Sequence, residues 1–204
     1  MLTVVIQAGG QSTRMGYDKA LLPFLGQPLI TRLVARLAPI ADEILVTTNR
    51  PSDFSFLGLP LFPDKIPNRG ALGGLLTAIE AATQPLVAVV ACDMPFASPG
   101  LVQFQRNLIE SEAADVVIPK TELGYEPLHA VYRQATCLPA IERAVQAGQW
   151  KVISWFPQVR VRALTSKELA DHDPNKLAFV NVNTPEEFAQ AENQARQLDQ
   201  NRFT

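Results

Sequence analysis

The sequence predicts an α/β protein, a doubly wound and mostly parallel sheet with helices on both faces. Three observations carry that expectation. Through the first 118 residues, short β-branched runs alternate with segments of helical period, the rhythm of parallel strands joined by crossover helices. The run Leu86–Ala91 is apolar at every position, as a central strand covered on both faces requires. The opening run, residues 3–6, is closed by Gly9 and Gly10, which reads as a buried strand cut short by a turn.

The elements follow in order. In residues 28–37, Leu29, Ile30, Leu33, Val34 and Leu37 share one helical face, while Thr31, Arg32, Ala35 and Arg36 turn away. Pro28 suits the first turn of that helix and Pro39 ends it. Residues 43–48 (EILVTT) are the second strand. Residues 51–67 hold four prolines and apolar residues of no fixed period, so they read as a loop. A helix over 73–82, the strand Leu86–Ala91, a helix over 99–112 and a strand over 115–118 continue the pattern. After Ile118 the rhythm changes. Residues 128–132 (LHAVY) read as a strand, Gln134–Gln146 as a helix, 159–164 (VRVRAL) as an alternating strand and 179–182 as one more. A polar helix over 185–198 closes the chain, and Thr184 with Glu187 three positions on forms a capping box. There is no internal repeat, and no linker is rich enough to divide residues 1–204 into two domains.

Composition narrows the function classes. The 204 residues are 47% hydrophobic and 19% charged, which describes an ordinary globular protein. A chain of this length buries roughly 70% of its unfolded surface, so one core forms without disulfide or metal staples. Eighteen Lys+Arg against 20 Asp+Glu argue against non-specific coating of nucleic acid, and leave room for one cationic pocket. Cys92 and Cys137 form no CxxC, and only His129 and His172 are present. Neither a thiolate zinc site nor a multi-histidine metal site is indicated. No apolar run approaches the roughly 20 residues of a membrane helix, and the start lacks a basic leader, so a cytoplasmic protein without membrane or nucleic-acid partners is expected.

In an open α/β sheet the ligand lies beyond the carboxyl ends of the strands, and three segments fall there. The first is Gln7-Ala-Gly-Gly-Gln-Ser-Thr-Arg-Met-Gly-Tyr-Asp-Lys19. Gly9 and Gly10 allow close backbone approach to an anion, and Arg14 and Lys19 add fixed positive charge suited to a triphosphate. The pattern is neither GxGxxG nor GxxxxGK[ST]; a glycine turn with two surface cations is the plain alternative. In the second, Ala91-Cys-Asp93-Met-Pro-Phe96, a buried strand ends on a carboxylate. Asp93 there either caps the turn or holds Mg²⁺, which takes one or two carboxylates plus phosphate oxygens. The third joins Thr48-Asn49, Asp64 and Arg69-Gly-Ala-Leu-Gly-Gly74. Asn49 donates and accepts and Asp64 accepts, which suits a base or ribose edge, although both residue types are also ordinary in loops. The glycines can bring backbone groups to a ring or phosphate at a helix start. Asn181 and Asn183 either line the same crevice or satisfy backbone groups. His129, inside a strand, reads as structural, and Cys92 as a small buried hydrophobe.

Together these segments resemble the MobA-like nucleotidyltransferases. The resemblance rests on residues 7–24, on Gly26-Gln-Pro-Leu29, on Cys92-Asp-Met-Pro-Phe96, on Glu126-Pro-Leu-His-Ala-Val-Tyr132 and on Phe179-Val-Asn-Val-Asn-Thr-Pro-Glu186. It covers nearly the whole chain and implies a Rossmann-like nucleotidyltransferase fold, with a nucleotide-binding half at about 1–118 and an acceptor-binding half at about 119–198. It further implies transfer of GMP from GTP to the terminal phosphate of molybdenum-molybdopterin, forming molybdopterin guanine dinucleotide and pyrophosphate. The nucleotide would be held by Gln7, Ala8, Gly9, Lys19, Asn49, Asp64 and Asp93, with Asp93 binding Mg²⁺ and with Lys19, Arg14 and Asp93 carrying the catalysis. Members that use CTP tend to read Ala-Ala-Gly where this chain has Ala8-Gly9-Gly10, which favours GTP; Gln7 replaces the usual leucine. CTP or another phosphorylated acceptor, a sugar phosphate or a small alcohol phosphate, is the alternative. The resemblance fits a monomer and allows transient contact with other molybdenum-cofactor assembly proteins.

Overall fold

The opening apolar run forms β1 (Leu2–Gln7) in a computed structural model that describes residues 1–9, 18–67 and 69–200. A small hairpin, β2 (Pro23–Phe24) and β3 (Gln27–Pro28), turns at Leu25 and Gly26, both at positive φ, and leads into α1 (Leu29–Leu37). Then follow β4 (Glu43–Thr47), α2 (Pro51–Phe54), β5 (Leu61–Phe62), α3 (Gly70–Ala81), β6 (Leu86–Ala91), α4 (Pro99–Ser111), β7 (Val116–Thr121), β8 (Gly124–Tyr125) and β9 (His129–Arg133). The chain closes with α5 (Gln134–Gln146), β10 (Val161–Leu164), α6 (Ser166–His172) and α7 (Pro185–Gln200).

Among the described residues, eight strands form one sheet in the order β10-β7-β9-β6-β1-β4-β5, with β8 paired to β7. β1 lies between β4 and β6, parallel to both. β9 is antiparallel to β6 and to β7, so its first residues lie at the edge where β6 ends. Side-chain alternation along the strands separates two cores. Leu2, Val4, Ile6, Ala88 and Val90 face α1, α4 and α7, while Val5, Val87 and Val89 face α3 and α5. The expected mostly parallel sheet with helices on both faces is therefore present, and the antiparallel β9 is its one departure near the centre.

Three sequence expectations change. Residues 179–182 make no strand ladder: Val182 N–H donates to the Asp93 carbonyl at 2.9 Å, and Val180 N–H to the Leu177 carbonyl at 3.0 Å. Their β-branched composition serves an extended strap with a single bond across to the Asp93 turn. Residues 51–67 include α2 and β5 rather than loop alone, because Leu61 and Phe62 extend the sheet beside Val46 and Thr47. The third helix starts at Gly70, so Gly73 and Gly74 lie buried inside it. A Cβ at Gly74 would stand 1.7 Å from Gln7 Nε2, and one at Gly73 would stand 3.1 Å from the Ile66 carbonyl. Gly73 and Gly74 thus admit close packing of the helix against Ile66 and Gln7. The capping box is as read: Thr184 Oγ1 accepts from Glu187 N–H at 3.2 Å, and the Glu187 carboxylate accepts from Thr184 N–H at 3.2 Å.

Candidate active site

β1, β4 and β6 are parallel neighbours and end together at Gln7, Thr47 and Ala91. Two links brace this edge: Ala8 N–H donates to the Thr47 carbonyl at 2.8 Å, and Cys92 N–H to the Gln7 carbonyl at 3.0 Å. Asp93 thus leaves the end of the most buried strand. Lys19 opens a short 3₁₀ turn whose preceding Asp18 accepts from Ala20 N–H. Its side chain is largely buried, and Nζ donates to Asn183 Oδ1 at 2.7 Å while standing 3.7 Å from Asp93 Oδ2. Burial pushes the Asp93 carboxyl above the usual carboxylate range, and the Lys19 ammonium opposes that rise. Asn183 is fixed in turn by Glu187, which accepts from its backbone N–H at 2.6 Å.

A second pair stands beyond β4. Asn49 Nδ2 donates to Asp64 Oδ2 at 2.8 Å, and Asp64 N–H donates to Asn49 Oδ1 at 3.0 Å. Among the described residues, Asp64 Oδ1 is buried without a partner. Gly9 lies against this carboxylate, where an added Cβ would be 3.3 Å from Oδ2. Gln7 turns its amide toward Gly74, with Oε1 buried and, among the described residues, unpartnered. The structure therefore places Gln7, Ala8 and Gly9 between the Asn49–Asp64 pair and the Lys19–Asp93 pair. Arg14, Gly10 and Gly16 lie outside the described residues.

Beside Asp93 opens a cavity of about 310 Å³ whose lining includes Ala71, Met94, Glu126, Leu128, Asn181 and Asn183. The asparagines reach it on the strap, and both sequence readings are observed: they line the crevice, and Asn181 Nδ2 also donates to the Phe179 carbonyl at 3.3 Å. Glu126 carries no role in the sequence reading. It arrives because Ala91 N–H donates to the Leu128 carbonyl at 2.9 Å, drawing the start of β9 alongside the Asp93 turn. Its proline neighbour and its place before an apolar strand were the only cues. Burial raises the Glu126 carboxyl above its ordinary value.

Two other groups are structural. His129 is fully buried; its Nε2 accepts from Ser98 N–H at 3.1 Å, and its ring meets Phe179 edge to face at 5.4 Å. Burial pushes its pKa down to about 4, so it stays neutral and ties the Asp93 loop to the strap. Burial raises the Cys92 thiol, which leaves it protonated and inert. Arg160 pairs with Asp115, and Arg162 with Glu112 and Glu168.

The donor set near Asp93 is oxygen only in kind, and among the described residues no three His, Cys, Asp or Glu gather as a protein cage. The Asp93 carboxylate, with the Lys19 ammonium beside it, fits a hard divalent cation that would share its shell with substrate phosphate oxygens. Among the described residues no helix is long and apolar enough to cross a membrane.

Residues 4–162 match the model of the MobA-like NTP transferase domain. A protein of Carboxydothermus hydrogenoformans called a probable molybdenum cofactor guanylyltransferase is 35% identical over 187 residues, 92% of this chain and 93% of its own length. A protein of the same description from Pelotomaculum thermopropionicum is 37% identical over 189 residues, 93% of this chain and 91% of its own. The fold also superposes on molybdopterin-guanine dinucleotide biosynthesis protein A of Archaeoglobus fulgidus with a TM-score of 0.82, at 24% identity over 96% of this chain and 99% of that one. The 2-C-methyl-D-erythritol 4-phosphate cytidylyltransferase of Thermus thermophilus shares the fold at a TM-score of 0.66 and 19% identity, over 94% of this chain and 98% of that one. With the sheet and the matched span agreeing, the chain belongs to the MobA-like NTP transferase family.

Proposed function

We propose that this protein transfers GMP from GTP to the terminal phosphate of molybdenum-molybdopterin, releasing pyrophosphate and forming molybdopterin guanine dinucleotide. The observation that carries this reading is the meeting of Lys19, Asp93 and Asn183 at the end of β6, in a chain whose relatives are called guanylyltransferases. The half up to about residue 118 takes the nucleotide and the half from about 119 takes the acceptor.

The acceptor's phosphate monoester is mostly dianionic at neutral pH, since its second pKa is about 6. It attacks the α-phosphorus of GTP without a protein base, which suits a site whose nearest histidine is buried and neutral. The difficulty is bringing two anions together. Lys19, already held between Asn183 and Asp93, places a fixed ammonium beside the reacting phosphates, and Arg14, which follows Gly9 and Gly10 in the sequence, is the second cation. Asn49 and Asp64 hold the guanosine, with Gln7, Ala8 and Gly9 presenting backbone along it. Asp93 is the residue that would hold Mg²⁺, which when bound neutralises triphosphate charge and activates pyrophosphate as a leaving group. The cytoplasm is the setting we assign, with the monomer as the working unit and transient contacts to other cofactor-assembly proteins.

The test is calorimetric titration with GTP, CTP and ATP in the presence of Mg²⁺, paired with a pyrophosphate-release assay on molybdopterin. GTP is expected to bind most tightly and to support release. Equal binding of all three nucleotides, or release with CTP alone, would move the protein to another branch of the family.

A further inference from the structure

Glu126 is a second carboxylate in the cavity beside Asp93, and the proposed reaction as described gives it no role. It lines the same cavity as Asp93, and the reacting groups there are phosphates. Its one side-chain partner among the described residues is the Thr121 hydroxyl, which donates to Oε1 at 3.2 Å, and no cation pairs with it there. A half-buried carboxylate held by a single hydroxyl keeps most of its acceptor capacity, and it repels any phosphate brought close to it. Whatever it meets must therefore present N–H or O–H donors.

Its position says which part of the reactants that is. In the sheet, β6 separates β9 from β1, so Glu126, just before β9, lies across Asp93 from the Asn49–Asp64 pair. The lining of the cavity that Glu126 and Asp93 share also includes the apolar Met94, Pro127 and Leu128, and Asn181. A flat heterocycle fits such walls, and a carboxylate at its edge selects one with two adjacent N–H donors. The pterin of the acceptor has that edge: its ring N–H and its exocyclic amine lie side by side, matching two carboxylate oxygens.

We infer that Glu126 recognises the pterin ring of the acceptor, accepting hydrogen bonds from its ring N–H and amino group while the acceptor phosphate reaches Lys19 and Asp93. This deepens the proposed function and rests on it. Glu126 is a specificity residue for the acceptor, and Thr121 positions it.

The experiment is steady-state kinetics of the full chain and of Glu126→Gln, with molybdopterin varied at saturating GTP and then GTP varied at saturating molybdopterin. Losing charge-assisted bonds and facing an amine with the amide's own NH₂ is expected to raise the molybdopterin KM by roughly tenfold to a hundredfold, with kcat and the GTP KM within about twofold. Thr121→Val, which frees the carboxylate without removing it, is expected to raise the same KM by a smaller factor, and it carries the test if Glu126→Gln does not fold. An unchanged molybdopterin KM in a folded variant overturns the inference. So does a rise in the GTP KM or in the Mg²⁺ needed for half-maximal rate, which would assign the carboxylate to the nucleotide or the metal. If the unmodified chain makes no product from GTP and molybdopterin, the functional reading falls and this inference falls with it; a defect confined to the variants' GTP or Mg²⁺ dependence overturns this inference alone.

Discussion

The Lys19 amine stands between an amide oxygen 2.7 Å away and a carboxylate oxygen 3.7 Å away, so its charge is aimed before any substrate arrives. Holding a long side chain in one geometry costs conformational entropy, and a buried position where that cost is already met is where a fixed charge acts most strongly on phosphates. Lys19→Ala is expected to lower pyrophosphate release by on the order of a hundredfold to a thousandfold while the far-ultraviolet spectrum is retained. The same change removes the cation that favours the ionised form of Asp93, whose carboxyl burial has already raised. The acid limb of the residual activity should therefore move to higher pH. A rate profile with an unmoved acid limb would separate the two side chains functionally.

At the scale of elements, the contact between β1 and α3 is the tightest joint near the site. Gly74 lies inside α3, and Gln7 fills the space that a side chain there would take. Alanine has better helix propensity than glycine by about 1 kcal/mol, yet here its Cβ meets the Gln7 amide, whose oxygen is already buried. Gly74→Ala is expected to destabilise the protein by about 1–3 kcal/mol through overpacking. Adding Gln7→Ala should recover most of that loss, a coupling that urea midpoints of the single and double variants would reveal. Additive midpoints would mean that Gln7 moves aside freely. The helices themselves were partly legible. Thr184 and Glu187 announce α7, whereas the equivalent signal at Thr165 and Glu168, a complete capping box in the structure, starts α6, which the sequence reading left without an element. That helix spans seven residues and buries none of them, so no apolar period marks it. Residues 179–182 err the other way, since β-branched composition favours extended backbone but does not supply a neighbouring strand.

Across the whole molecule, the chain after residue 162 returns to the site and the core it left behind. α7 packs Phe188, Ala191 and Ala195 into the core beside β1. Phe188 meets Phe24 of the hairpin edge to face at 5.4 Å, and Glu192 accepts from Leu25 N–H at 2.8 Å. The strap before it delivers Asn181 and Asn183. Phe188→Ala is expected to cost about 3–5 kcal/mol, read as a lower denaturation midpoint. Because the hairpin and strap flank Lys19 and Asp93, product formation should fall with it at temperatures where the variant remains folded. Preserved activity at an unchanged midpoint would show that α7 is only an outer cover.

The sequence alone determined the sheet with helices on both faces, the capped closing helix and the segments at the strand ends, because period and punctuation are local properties that each stretch carries with it. Tertiary structure decided which of those segments meet. Lys19 and Asn183 are 164 positions apart, and Glu126 reaches Asp93 only because an antiparallel β9 is inserted beside β6. Strand order is set by burial and backbone pairing between distant parts of the chain, a long-range cooperative choice that no window of residues records.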